Sequence, residues 1–223
     1  MVITNKSRTA FLAITAVAIA VTLGKSVAHP EVASPSVKDY TFPEYVMLPQ
    51  WKLLTSKPVN SHLVQPPAYI SGDFIAGKHY RYLKNGKNLD IEMRYLANTN
   101  GDLKSFITSQ TGDLSSGLKQ DKTGGFYSLY IYESKAYLST CINPLGHSTV
   151  TSDQFKRNIM IHNNHLQRII PWLTGKAEFQ DKRCMWAHLS TSLEGDAAVD
   201  EAYETLETTW HDWQSYWRSH YPN

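Results

Sequence analysis

A chain of 223 residues with 42% hydrophobic and 19% charged side chains has the composition of an ordinary globular protein. Its formal charge is only +2, and the excess is local, because Lys6, Arg8 and Lys25 lie in residues 1–28 with no acid among them. This excludes a large basic surface for nucleic acid, and thirteen Tyr and six Trp without a basic groove point to core and interface roles rather than to base stacking.

In chain order, "NKSR" is followed by an apolar run, Ala10–Gly24, broken only by Thr15 and Thr22. A basic segment leading into such a run is an export signal. Ser26-Val27-Ala28 offers small residues for cleavage after Ala28, whereas Lys25 sits where a peptidase site is ordinarily uncharged. The run is shorter than the roughly 20 residues of a typical span, although Thr9 and a snorkelling Lys25 would lengthen it. Both outcomes place residues 29–223 outside the cytoplasm, since Lys6 and Arg8 favour the inner side. Residues 1–28 are therefore expected to be a signal or anchor, an N-terminal membrane helix in what is at most a single-pass protein.

Residues 29–66 carry Pro30, Pro35, Pro43, Pro49, Pro58 and Pro66, too many for a long helix. They are expected to form a linker and then an extended segment, with Phe42, Val46, Leu48 and Trp51 anchoring "FPEYVMLPQWKLL" to a domain spanning residues 67–223. In that domain Asn85-Gly86 predicts a tight hairpin turn, because both central residues of a type I′ turn need positive φ. Leu89, Ile91, Met93 and Tyr95 alternate with Asp90, Glu92 and Arg94, which predicts a strand with one wet face. "DLKSFITSQ" predicts a short helix capped by Asn100 or Asp102, and residues 111–125 a flexible loop. "FYSLYIYESKAYLSTCI" predicts a second hairpin turning at Glu133-Ser134-Lys135. Thr151 and Gln154 form a capping-box pattern before a helix that Pro171 ends or kinks. "RCMWAHLSTSL" predicts a further strand. From Ala197 to His220, Val199, Tyr203, Leu206, Trp210, Trp213 and Trp217 step by threes and fours, the stripe of a long amphipathic helix. Strand pairs joined by tight turns, with helices between them, predict an α+β fold in which helices cover one face of an antiparallel sheet.

The chemistry-bearing residues are few. Cys141 and Cys184, the only cysteines, are candidates for a disulfide in an oxidising compartment. The alternatives, in order, are two reduced, buried thiols and then a nucleophile. In the nucleophile reading Cys141 is activated by His147 or His188, with Arg183 or Arg94 lowering the thiol pKa, and the protein is a thiol-dependent hydrolase or transferase. A metal set of Cys141, His147, Cys184 and His188 fails on geometry: on one strand Cys184 and His188 stand about 13 Å apart, too far for one tetrahedral ion. His162 and His165 share a helical spacing but lack the carboxylate of a zinc-hydrolase helix. No metal or cofactor is expected. Trp213, Trp217 and Tyr221 are core candidates that become a partner-binding surface if the sheet cannot cover the end of the last helix.

Several segments, "FPEYVMLPQW", "LDIEMRYL", "AYLSTCINPLGHSTVTSDQF", "IIPWLTG", "RCMWAHLST" and "AYETLETTWHDWQSYWR", resemble those of the cyanoexosortase A system-associated protein family. The resemblance implies a small exported accessory protein held by one N-terminal helix. Its partner would be an exosortase-type membrane enzyme or the proteins that enzyme sorts, on the extracytoplasmic face of the membrane. No catalytic residue follows from it.

Overall fold

The structure is a computed structural model that describes residues 5–28, 39–59, 72–112, 117–121, 123, 125–162, 180–193 and 198–222. The chain divides into two compact units. The described part of the first is helix α1, Asn5–Ala28. Its Phe11, Leu12, Ile14 and Val17 are exposed within the chain. Among the described residues no helix is long and apolar enough to cross a membrane. The predicted membrane helix is thus present as a helix but is not supported as a span. Polar Asn5–Thr9 and Lys25-Ser26 occupy its ends and shorten the apolar stretch.

The second unit is α+β. Its strands are β1 (Lys52–Pro58), β2 (Asp73–Lys84), β3 (Lys87–Ala97), β4 (Gly117–Gln120), β5 (Phe126–Tyr132), β6 (Lys135–Ile142) and β7 (Cys184–Ser192). They form one antiparallel sheet in the order β1-β2-β3-β7-β6-β5-β4. Two meanders, β1-β2-β3 and β4-β5-β6, are joined by the last strand, β7, which inserts between β3 and β6. The helices are α2 (Leu103–Thr111), α3 (Ser152–His162) and α4 (Ala198–Ser219).

Local sequence explains the turns and caps. Asn85 and Gly86 take φ of 50° and 80° between β2 and β3, and Glu133 and Ser134 take 46° and 59° between β5 and β6. Asp102 caps α2 by accepting from the Ser105 N–H at 3.2 Å. The capping box closes reciprocally: Gln154 N–H donates to Thr151 Oγ1 at 3.3 Å and Thr151 N–H to Gln154 Oε1 at 3.1 Å.

Strand alternation divides the side chains between two faces. Tyr80 and Tyr82, Leu89 to Tyr95 in steps of two, Leu129, Leu138, Ile142, Met185, Ala187 and Leu189 form one buried cluster with Leu206, Trp210, Trp213 and Trp217 of α4. The other face holds Leu96, Cys141, Cys184, Trp186 and Tyr130 with Leu103, Phe106 and Ile107 of α2 and Phe155 and Ile159 of α3. Helices therefore cover both faces, not one as the sequence predicts. The reason is that strands β3, β5, β6 and β7 carry apolar side chains at both parities near one end, so a second layer is needed to bury them.

Two segments expected to be irregular pack or pair within this unit. The extended segment lies against the domain, and its described residues, 39–59, belong to the second unit. Phe42, Val46 and Leu48 are buried there, and Lys52–Pro58 is an edge strand. Tyr80 and Tyr82 hydroxyls donate to the carbonyls of Pro43 (2.7 Å) and Val46 (2.8 Å), which ties this segment to β2. The loop predicted over 111–125 contains β4, a short exposed strand pairing with β5. Residues 163–179, including His165 and Pro171, lie outside the described residues.

Candidate functional site

Cys141 ends β6 and Cys184 begins β7. Both project onto the α2/α3 face, with Cα atoms 5.6 Å apart, and they are joined by a disulfide. That separation falls in the normal range for such a bond. Cys141 is 0% exposed and no free thiol remains in the chain.

The structure does not bring the other nucleophile candidates to the sulfur. His147 lies on the exposed side of the Pro144–Gly146 turn. Its N–H donates to Asn158 Oδ1 at 3.0 Å, its carbonyl accepts from Asn143 Nδ2 at 2.6 Å, and its ring faces the His162 ring at 6.1 Å. Arg183 is a structural clamp. Its Nε and Nη2 both donate to Asp181 at 2.7 Å, while Nη1 donates to Tyr95 Oη at 3.1 Å and to the Pro222 carbonyl at 3.0 Å. This fork pins the chain after α4 to the start of β7, with Tyr221 beneath the guanidinium.

The partner-surface reading of the last helix is also corrected. Trp213 and Trp217 are 0% exposed. Tyr80 and Tyr82 pack edge-on against Trp213, and Phe42 against Trp217. Tyr221 packs against Tyr95. The Tyr40–Leu48 segment supplies the cover that the sheet alone does not, so the two tryptophans are core and half-buried Tyr221 packs at its edge.

His188 sits in a different setting. It is on β7, on the disulfide's face, directly opposite Glu92 of β3 and Ser139 of β6. Ser139 Oγ lies 2.6 Å from His188 Nδ1 and 3.3 Å from Tyr130 Oη. Tyr137 stacks on the imidazole at 5.0 Å, and Trp186 and Phe106 flank it. Burial among these rings pulls the His188 pKa down to about 4; Glu92 opposes and Arg94 reinforces this. The ring is therefore neutral at physiological pH.

Around it runs a polar strip. Arg94 Nε donates to Glu92 Oε1, and its guanidinium lies over Trp186 at 4.7 Å. The wet face predicted for β3 is only partly wet, since Arg94 is 7% exposed. On the outer side Asp90 accepts from Arg81 Nε at 2.7 Å and lies 3.2 Å from His79 Nε2. Partial burial alone would raise the Asp90 pKa, but hydrogen bonds from His79 and Arg81 outweigh it and bring the carboxyl to about 2.

A serine 2.6 Å from a histidine invites a nucleophile reading, but Ser139 is 0% exposed and bonds to Nδ1 in a closed cluster. A substrate carbonyl has no approach to it, so the pair reads as a satisfied buried network. Sequence reasoning missed Ser139, Tyr130, His79 and Asp90 as neighbours, because only strand register brings them together. Among the described residues no group of three or more His, Cys, Asp or Glu side chains is placed to hold a metal. Compared with known proteins, the chain matches no family model, no curated protein and no solved structure.

Proposed function

We propose that the protein is a non-catalytic, extracytoplasmic accessory domain of an exosortase-type protein-sorting system, brought to the membrane by residues 1–28. It binds the sorting enzyme, one of its substrates or a surface polymer. The observation that carries this reading is the buried Cys141–Cys184 disulfide. Such bonds persist outside the reducing cytoplasm, which agrees with the export signal. The same bond occupies both sulfurs of the chain, so the thiol-dependent hydrolase or transferase using Cys141 with His147 or His188 loses its nucleophile. The resemblance of the chain's segments to the exosortase-associated family supplies the choice of partner. The half-open polar strip of His79, Arg81, Asp90 and Glu92 supports a binding role, since its charges are ion-paired, Asp90 with His79 and Arg81 across strands and Glu92 with Arg94 along β3.

Co-purification tests the proposal. Full-length protein solubilised in mild detergent from its native membranes is expected to carry a multi-pass sorting enzyme or a protein with a C-terminal sorting signal. Intact protein that retains neither, with or without crosslinking, overturns it. Thiol titration of the exported protein under denaturing, non-reducing conditions separates the classes: no free thiol is expected, and two would restore the enzyme reading.

A further inference from the structure

We propose that His147 and His162 form a surface site for one borderline divalent transition-metal ion, Zn2+ or Cu2+, with water completing its coordination. The two rings belong to elements that the fold locks together. Asn158, one turn before His162 on α3, is buried and bridges helix and turn. Its Oδ1 accepts from the His147 N–H at 3.0 Å and its Nδ2 donates to the Leu145 carbonyl at 2.7 Å. Asn143 holds the same turn from the β6 side through the His147 carbonyl, at 2.6 Å. Gly146, at φ +79°, lets the His162 ring settle on the turn. A Cβ built there would clash with Asn158 Oδ1 and His162 Cδ2 and would lie 2.7 Å from His162 Nε2. Any other residue would displace the ring that faces His147.

The distance fits a shared ion after a small rotation. With metal–nitrogen bonds of about 2.1 Å, the ring centres of two imidazoles on one tetrahedral ion stand roughly 5 Å apart. Bringing the rings from 6.1 Å to that distance takes side-chain rotation at His147, which is exposed. Two imidazoles without a thiolate or carboxylate suit zinc or copper rather than magnesium or calcium. The backbone hydrogen bonds mean that little loop ordering is required on binding, whereas a pair of free surface histidines would have to be collected by the ion.

The test uses the full chain without a histidine tag and titrates Zn2+ or Cu2+ against a chromogenic chelator. Wild type is expected to hold one equivalent more tightly than His147→Ala or His162→Ala by tenfold or more. The double variant should be no weaker than either single, since one ion needs both rings. His211→Ala, on the exposed face of α4, should bind as wild type does. Equal binding by wild type and His147→Ala overturns the proposal, and so do losses that simply add in the double variant. A second measurement needs no substitution: Zn2+ should shield both rings together from diethyl pyrocarbonate, read by peptide mass. Independent or absent shielding overturns the site.

Discussion

The two faces of the sheet are built on different principles. Under α4 the face is dry and aromatic. Among its polar atoms are the hydroxyls of Tyr80 and Tyr82, held by backbone carbonyls, and the Trp213 indole, which donates to Met93 sulfur at 3.1 Å. Under α2 and α3 the face is mixed, with one covalent tie, two short helices and a polar strip toward β2. The first face is held by burial, which is non-directional and scales with area. The second has less apolar area to bury and relies on a disulfide, hydrogen bonds and caps. The difference predicts where each kind of substitution hurts.

The largest effect is expected on the dry face. Trp213→Ala removes a fully buried ring packed against Tyr80, Tyr82 and Trp217, and should cost about 3–5 kcal/mol in denaturant unfolding. Met160→Ser on the exposed side of α3 should change stability by less than about 0.5 kcal/mol. Comparable losses would mean that burial under α4 is not what holds the dry face.

Next comes the covalent tie. With the cysteines 43 positions apart, the double variant Cys141→Ala/Cys184→Ala should lose about 4 kcal/mol on the chain-entropy account. The signature that sharpens the comparison is regional. Hydrogen exchange should accelerate first in α2, α3 and the 143–150 turn, while the α4 core keeps its protection. Uniform acceleration would show that the two faces unfold as one.

The polar strip adds an acid-range pH dependence, whereas the buried tyrosines of the aromatic face, their pKa raised by burial, titrate only at alkaline pH. His188 has a folded pKa near 4, below the ordinary 6.5, so the unfolded chain binds the proton more readily. Its contribution is complete above pH 6.5 and is lost as pH falls toward 4, by roughly 3 kcal/mol for a shift of this size. Asp90, depressed to about 2, adds a second loss below about pH 4. Urea unfolding between pH 7 and pH 3 should show both. In His188→Gln the stability curve should be flat from pH 6.5 to 4. A wild-type slope that survives this substitution assigns the first loss to another group.

Much of this contrast was legible in the sequence, and the remainder was not for a definite reason. The Asn85-Gly86 turn, the Leu89-to-Tyr95 alternation, the Thr151–Gln154 box and the α4 stripe are local patterns, and local physics suffices to read them. The second helical layer was missed because "FYSLYIY" and "RCMWAHL" are apolar at both parities, which periodicity alone cannot assign to a face. β4 was missed because Gly117–Gln120 pairs along a sheet edge and buries nothing. The Tyr40–Leu48 strap shows the same limit from the other side. Its anchors were visible, but the hydroxyls of Tyr80 and Tyr82 that hold it are more than 30 residues away. His188, Ser139 and Glu92 became neighbours only through register, which no single strand encodes.

The smallest expected effect separates helices that need their caps from those that do not. α2 spans only nine residues and depends on Asp102, which accepts from both the Ser105 N–H and its hydroxyl. Asp102→Ala should cost about 1 kcal/mol, and Asp102→Asn much less, because the amide oxygen can still accept. α4 has 22 residues and a continuous buried stripe, with Asp200 and Glu201 in its first turn. Exposed Asp200 contributes there through the helix dipole, so Asp200→Ala should cost only about 0.3–1 kcal/mol, and less as salt is added. Thermal unfolding of both variants at low and high salt decides the matter. The Asp102 loss should persist in salt, since it is a formed hydrogen bond, and the Asp200 loss should shrink. If both shrink alike, the α2 cap acts through charge rather than through bonding, and the polar face is held more by screened electrostatics than by its directional contacts.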